Sequence, residues 1–319
     1  GMIKNVLVVG GAGYIGGSVT DCLIAKKIPF TVYDNLTYEN HYLKPVDFIF
    51  GDVSDRIFLK KILPNYSHVI WLAAIVGDGA CAIKPELTKK INQDVVGWLA
   101  NNYNGRIIFT STCSVYGTNI KPVDELSKLN PLSIYAETKL RAESFLSNKN
   151  ALIFRIGTAF GISDTYSRIR MDLAINYMTM NAIKNKKLTV FGGEQYRPFV
   201  HVRDIGRFIV DNLNTPYKGI YNLATANASI SEIAKFIQKE TGCKITITKQ
   251  LFEDNRNYNA IIKKGLIDGV FSDSTSFTIP FGIHEIKELT ESQRVKNLEL
   301  ELYSNEKYLL QTLKQSEEN

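Results

Sequence analysis

The residues with the most chemical potential for their spacing are Tyr135-Ala136-Glu137-Thr138-Lys139. Residues four apart share a helix face, so the Tyr135 hydroxyl and the Lys139 ammonium can point into one site. A free phenol, with a pKa of about 10, is a poor base at neutral pH. A neighbouring ammonium favours the phenolate, which lets Tyr135 take a proton from an alcohol while hydride leaves the carbon. The spacing is common, and alone it is better explained by a surface tyrosine and lysine. It does not stand alone. The apolar run Arg106–Ser111 ends in Ser111-Thr112-Cys113-Ser114-Val115-Tyr116-Gly117. Thr112, at the carboxyl end of a strand, falls where open α/β sheets bind ligands and can hydrogen-bond the reacting oxygen.

Oxidising an alcohol requires a hydride acceptor, and the start of the chain is suited to hold one. A first apolar strand runs into Gly10-Gly11-Ala12-Gly13-Tyr14-Ile15-Gly16. Gly10 allows a tight turn, Gly13 lets the backbone approach a pyrophosphate, and Gly16 lets the next helix sit close to the strand. The helix then turns its free N–H groups and positive dipole end toward phosphate. Glycines occur in any turn, but the strand–turn–helix context makes this one a dinucleotide motif. Asp34 ends the second strand roughly 20 residues further on, where a carboxylate accepts both adenosine ribose hydroxyls and repels a 2′-phosphate. Asn35, not an arginine or lysine, follows it, so NAD is favoured over NADP. The plainer reading, that Asp34 only begins a turn, stays open.

The elements that must position these groups alternate as strand and helix. Strands are predicted over Asn5–Val9, Phe30–Asp34, Asp47–Phe50, His68–Ala74, Arg106–Ser111 and Ala151–Ile156. Helices are predicted over Gly13–Lys26, Ser54–Leu63, Pro85–Asn101 and Pro131–Leu146. Nearly continuous apolar strands imply a sheet covered on both faces: an α/β fold with a Rossmann-type doubly wound parallel sheet. The second half is less regular. It reads as a helix through Lys184, short strands at Leu188–Phe191, Val200–Val202, Gly219–Leu223 and Lys244–Thr248, and a helix from about Glu285 to a charged, fraying end. The expected division is a cofactor domain over about 1–162 and 203–226, with a smaller mixed α/β substrate lobe over about 163–202 and 227–319.

Composition narrows the partners. The net charge of +6 is spread along the chain with no basic block, so no nucleic acid is expected. Gly1 ahead of Met2 reads as an artificial extension, and residues 2–9 are only one strand long, so neither a signal peptide nor a membrane span is expected. Cys22, Cys81, Cys113 and Cys243 are far apart, which fits reduced thiols in a cytoplasmic protein with no metal site.

In these residues the sequence resembles the extended short-chain dehydrogenase/reductases of the NAD-dependent epimerase/dehydratase type, over nearly the whole chain. The resemblance rests on GGAGYIG at Gly10–Gly16, Asp34-Asn35, Gly51-Asp52-Val53, Leu72-Ala73-Ala74, Asn92, STCSVYG at Ser111–Gly117 and Tyr135/Lys139. It continues through Arg155, Gly161, the run Arg197–Asp204, Tyr221-Asn222-Leu223 and Arg256. It implies that Asp52 and Val53 flank the adenine and that Leu72, Ala73 and Ala74 line the dinucleotide path. Tyr14, Ile15, Asn35 and Asn92 belong to the same cofactor site. Thr112, Tyr135 and Lys139 are the implied catalytic residues, with Lys139 also reaching the nicotinamide ribose. Arg197 and Arg256 are the implied grip on a nucleotide-sugar diphosphate, a role that suits the arginine fork. For Arg256 an ordinary surface ion pair also fits.

Two departures bear on the reaction. Dehydratases resembling this chain carry Asp and Glu where it has Cys113 and Ser114, so dehydration is disfavoured. Thr158 stands where an asparagine is usual, which leaves substrate placement open. Val76–Cys81 and Ser167–Asp172 look like a subgroup acting on GDP-linked heptoses and related sugars, including 4-dehydrogenases with tightly held cofactor. With Val76, Arg168 and Arg170 from these stretches, the expected substrate contacts also include Thr112, Cys113, Ser114 and Thr158; the two arginines fit a solvated loop equally well. His201, in a short apolar strand, reads as structural. The expected reaction is epimerisation at C4 of a nucleotide sugar, with net 4-oxidation as the alternative. A silent NAD-binding regulator is the reading from another class. A homodimer is implied by the resemblance.

Overall fold

The computed structural model describes residues 2–38, 41–76, 78–249, 257–272 and 276–292. Its strands are β1 (Val6–Val9), β2 (Phe30–Asp34), β3 (Phe48–Phe50), β4 (His68–Trp71), β5 (Arg106–Thr112), β6 (Ala151–Ile156), β7 (Thr158–Phe160), β8 (Lys187–Phe191), β9 (Tyr196–His201), β10 (Gly219–Leu223), β11 (Ala226–Ser229) and β12 (Lys244–Thr248). The helices are α1 (Tyr14–Ala25), α2 (Arg56–Ile62), α3 (Asp78–Ile83), α4 (Pro85–Lys89), α5 (Val95–Asn102), α6 (Ile134–Leu146), α7 (Ala174–Asn185), α8 (Val202–Asp211), α9 (Ile230–Thr241), α10 (Lys263–Asp268) and α11 (Ile279–Glu291).

Alternation along the apolar strands decides the layers. Leu7 and Val9 of β1 join Val69, Trp71, Ile107 and Phe109 against α2, α5 and α6. Val6 and Val8 point the other way, with Ile70, Ile108 and Phe154, against Val19 and Leu23 of α1 and Ile205 and Ile209 of α8. Each such side chain contributes about 1.5–3 kcal/mol on full burial, which holds helices on both faces. The result is a seven-stranded parallel sheet in the order β10-β6-β5-β4-β1-β2-β3. This is the doubly wound Rossmann-type fold. Val9 pairs with both Tyr33 and Trp71, so the segments leaving β1, β2 and β4 emerge level with one another. That common edge is where the site lies.

The chain leaves the main sheet after β6 and returns to it with β10. Between and after these strands it builds the smaller mixed lobe, with sheets β11-β9-β7 and β12-β8. Phe160, Ile175, Val190, Phe199, Ile233 and Ile283 form the core of this lobe among α7, α9 and α11. His201 closes β9: its Nδ1 accepts from the Arg203 N–H at 3.0 Å, and its Nε2 lies 2.5 Å from Glu285. Since Nδ1 accepts, Nε2 carries the proton and donates to the carboxylate.

Several elements differ from the sequence expectation. β4 stops at Trp71 because Leu72–Ala74 peel off into the cavity. The predicted helix over Pro85–Asn101 is α4, a π turn at Lys90–Asp94, then α5. α11 begins at Ile279 rather than near Glu285, because Thr278 caps it by accepting from the Phe281 N–H at 3.2 Å. The predicted continuation to the C-terminus lies outside the described residues. Among the described residues no helix is long and apolar enough to cross a membrane.

Candidate active site

A cavity of about 290 Å³ opens at the carboxyl ends of β1, β2 and β4. Gly10, Gly13, Tyr14, Ile15 and Gly16 form its floor. Gly10 has φ +81°, and a Cβ there would lie 2.7 Å from the Ala73 nitrogen. A Cβ on Gly16 would lie 2.2 Å from the Gly11 oxygen, a backbone atom that cannot give way. At Gly13 the nearest atom to such a Cβ is the Gly10 oxygen at 3.6 Å, an ordinary contact. The three glycines thus serve different ends: Gly10 and Gly16 close the turn, while Gly13 leaves room above the α1 N-terminus. Gly16→Ala is therefore expected to lose fold stability and nucleotide affinity together. Gly13→Ala should melt like the parent and lose affinity only. Thermal melts with and without NAD separate the two, and a Gly16→Ala protein that melts normally would contradict this division.

Asp34 lines the cavity but is not idle within the fold. Its Oδ2 accepts from the Ala12 N–H at 3.0 Å and its Oδ1 from the Leu36 N–H at 2.7 Å, tying β2 to the glycine turn. Burial pushes its carboxyl above the ordinary carboxylate range, against the pull of those two donors. Asn35, Asp52, Val53, Leu72, Ala73 and Ala74 also line the cavity. Tyr33, which that reading missed, fixes the β3 exit: its hydroxyl donates to the Asp52 carbonyl at 2.6 Å, and its ring fills the space beside Gly51.

Asn92 stands outside the lining. Its side chain accepts from the Ile75 N–H at 2.8 Å and donates to the Ile75 carbonyl at 2.9 Å, so it holds a cavity-wall residue in place. The π turn that carries it is the kind of local distortion that helices adopt at functional positions.

α6 starts where Ser133 Oγ accepts from the Ala136 N–H at 3.1 Å. Tyr135, its second residue, is half-buried against Ile75, Ala80 and Cys81, beside Leu87 and Ile91. Ile75, Leu87 and Ile91 are themselves part of the cavity wall. Ile75 follows β4, on the opposite side of β1 from β2 and Asp34, so Tyr135 backs the end of the cavity away from Asp34. Lys139 is buried, its ammonium 4.3 Å from the centre of the Phe109 ring on β5. Thr112, at the end of β5, accepts from the Ser114 N–H at 3.0 Å, and its hydroxyl shares a 2.9 Å hydrogen bond with Ser114 Oγ. Thr112, Tyr135 and Lys139 are not among the residues lining the cavity; of the three, Tyr135 packs against the cluster that contributes Ile75 to its wall.

Burial pulls the Lys139 pKa down to about 8, with Glu143 opposing the shift. The unfolded chain has the ordinary lysine value of 10.5 and holds its proton longer as pH rises. Stability of the nucleotide-free protein is therefore expected to increase between about pH 8 and 10.5, and to lose that increment as pH falls through 8. Denaturant titrations across this window should show the rise, and Lys139→Met should flatten it.

The remaining predicted substrate contacts divide. Val76, Arg168 and Arg170 line the same cavity as the glycine turn. Cys113 is buried in a cluster with Val115 and Tyr116, its thiol donating to the Arg155 carbonyl at 3.2 Å. Ser114 is engaged with Thr112. Thr158 on β7 pairs in register with Phe199, and Arg197 on β9 lies opposite Ala228; none of these four lines the cavity. Arg256 lies outside the described residues. Sequence reasoning also missed Thr37, Tyr38, Leu87 and Ile91 in the lining. The last two are four apart, and that spacing was the available signal.

A profile of the NAD dependent epimerase/dehydratase family matches residues 6–224. The chain is 29% identical over 253 residues to a putative UDP-glucose 4-epimerase of Methanocaldococcus jannaschii, covering 74% of this chain and 82% of the relative. It is 29% identical over 282 residues to the UDP-glucose 4-epimerase of Lactobacillus helveticus, covering 76% and 84%. The fold superposes on the UDP-glucose 4-epimerase of Thermotoga maritima, solved with UDP-glucose, with a TM-score of 0.78 at 21% identity, covering 91% of this chain and 100% of that one.

Proposed function

Because the chain belongs to the NAD dependent epimerase/dehydratase family, we propose that it epimerises a nucleotide sugar by oxidising one sugar hydroxyl, at C4, and reducing the ketone on its other face. The observation that carries this reading is the placement of Tyr135 against the buried cluster of Ile75, Ala80 and Cys81, of which Ile75 lines the cavity, with Lys139 buried one turn further along α6. The cradle suits the cofactor: Gly13 leaves room above the α1 N-terminus in the cavity floor, and Asp34 ends β2 at the cavity. Bound NAD supplies the hydride acceptor and later the donor. Tyr135 takes the hydroxyl proton and returns it, Lys139 in its charged form favours the phenolate, and Thr112 hydrogen-bonds the sugar oxygen.

Positions 113 and 114 speak against dehydration. Burial pushes the Cys113 thiol up, and its proton is directed at the Arg155 carbonyl. The Ser114 hydroxyl is engaged with Thr112. Neither serves as an acid or base on a neighbouring carbon. Net 4-oxidation shares the first half-reaction and is the alternative, favoured by the likeness of Ser167–Asp172 to GDP-heptose enzymes. The names of the relatives make UDP-glucose the first substrate to try.

The test is to incubate the protein with UDP-hexoses and GDP-heptoses, following NADH absorbance and the sugar by NMR. An epimerase gives the C4 epimer with no lasting NADH. A net dehydrogenase accumulates NADH in step with a keto sugar. No conversion across the panel would refute the proposal. A homodimer in the cytoplasm accompanies this reading, and sedimentation velocity tests the assembly.

A further inference from the structure

The segment between β7 and α7 is strapped across the start of α1. The Tyr14 hydroxyl donates to the Gly161 carbonyl at 2.5 Å, and the Ser163 hydroxyl donates to the Tyr14 carbonyl at 2.6 Å. Gly17 leaves the room this needs, since a Cβ there would lie 2.2 Å from Asp164 Oδ1. Lys44, from the loop between β2 and β3, locks the crossing. Its ammonium lies 2.7 Å from Asp164, with both side chains only 2% exposed, and it also reaches Asp21 at 2.7 Å and Thr20 at 2.8 Å. At the far end of the strap, Asn176 accepts from the Gly161 N–H at 2.9 Å and donates to the Arg170 carbonyl at 2.9 Å.

This docking puts Arg168 and Arg170, both 8% exposed, into the wall of the cavity whose floor is the glycine turn. Arg170 is paired with Asp172 through two contacts, at 3.1 and 3.0 Å, and Arg168 lies 5.0 Å over the Tyr38 ring. Asp172 already meets one edge of the Arg170 guanidinium, and two cationic side chains in the wall beside the glycine turn make that part of the cavity attractive to an anion. The anion that a glycine turn and a helix N-terminus select is a phosphate ester, and the guanidinium fork matches paired phosphate oxygens. Arg197, by contrast, lies outside this lining.

We propose that Arg168 and Arg170 grip the diphosphate of the dinucleotide cofactor rather than that of the sugar nucleotide, so that the strap seals the cofactor in from the second lobe. The inference rests on the proposed function only in taking this cavity as the NAD site. Its consequence is kinetic: NAD leaves when the strap lifts, and the buried Lys44–Asp164 pair resists that lifting.

Calorimetry with ADP-ribose, UDP and GDP on the full chain, together with the release rate of bound NADH chased by excess ADP-ribose, tests it. Arg168→Ala and Arg170→Ala are each expected to weaken ADP-ribose about tenfold or more and to speed NADH release, leaving UDP and GDP affinity unchanged. Should an alanine variant not fold, Arg168→Lys and Arg170→Lys keep the charge, lose the fork, and are read the same way. Loss of UDP or GDP affinity with ADP-ribose unaffected would overturn the assignment in favour of a substrate clamp. Variants equal to the parent for ADP-ribose would overturn it outright. A parent protein that does not bind ADP-ribose at all would overturn the NAD reading of the cavity itself, a result distinct from either.

Discussion

Tyr135→Phe is expected to lower turnover by about 10²- to 10⁴-fold, the usual range for removing a positioned proton-transfer group. The change deletes one oxygen and keeps the ring that packs on Ile75, Ala80 and Cys81. The melting temperature and the affinity for NADH should therefore stay close to those of the parent. That separation of readouts gives the prediction its force. A protein that merely binds NAD on this fold would lose nothing measurable, and a tyrosine serving only as core would show its loss in the melt. Substrate affinity should change little, because the phenol acts when the proton moves, so the defect falls on kcat rather than KM. Equal turnover in Tyr135→Phe and parent would remove Tyr135 from the chemistry.

Lys139 sharpens the same argument through electrostatics. In the nucleotide-free protein its proton is held only to about pH 8. Below that pH an ammonium stands one helical turn from Tyr135, and above it the phenolate loses its supporting charge.

How far the sequence led depended on whether a residue's role was local. The glycine turn, Asp34 and Leu72–Ala74 were legible because each sits at a strand end, and the parallel order of the sheet brings strand ends together. Tyr33 was not, although it adjoins Asp34, because its task is to pin the exit of a different strand. Asn92 was legible as a motif residue but not in its role. Only the π turn shows that it clamps Ile75 and does not itself line the cavity. Arg168 and Arg170 suited a phosphate, yet nothing in their spacing distinguishes one diphosphate from another. Their position follows from Tyr14, Gly17 and Lys44, all more than a hundred residues earlier in the chain. β7 and β11 were missed for a simpler reason: three- and four-residue strands carry too little alternation to stand out.

Glu143→Ala is the substitution expected to cost the most stability, about 3–5 kcal/mol, because it strands a buried cation. Glu143 lies one turn beyond Lys139 on α6 and is 3% exposed. Its carboxylate accepts from Arg155 Nη2 at 2.7 Å and from Arg155 Nε at 3.1 and 3.2 Å. It also accepts from the Ser111 hydroxyl at 2.5 Å. Arg155 in turn donates to the Tyr116 hydroxyl at 3.0 Å, which donates to Asn222 at 2.6 Å. One carboxylate therefore ties β5, β6 and α6 together at the level of Thr112 and Lys139. Removing both charges tests whether the pair is favourable in itself or only costly to break. Glu143→Leu with Arg155→Met should recover much of the lost stability, since apolar residues of similar size often replace a buried ion pair at little cost. The double variant should still lose activity, because Ser111 would no longer be held beside Thr112 and Lys139 would lose the carboxylate that helps keep it protonated. Urea titrations measure the first effect and the pH profile of kcat the second. If Glu143→Ala unfolds within about 1 kcal/mol of the parent, the network is peripheral to the fold, and α6 must owe its position to apolar packing alone.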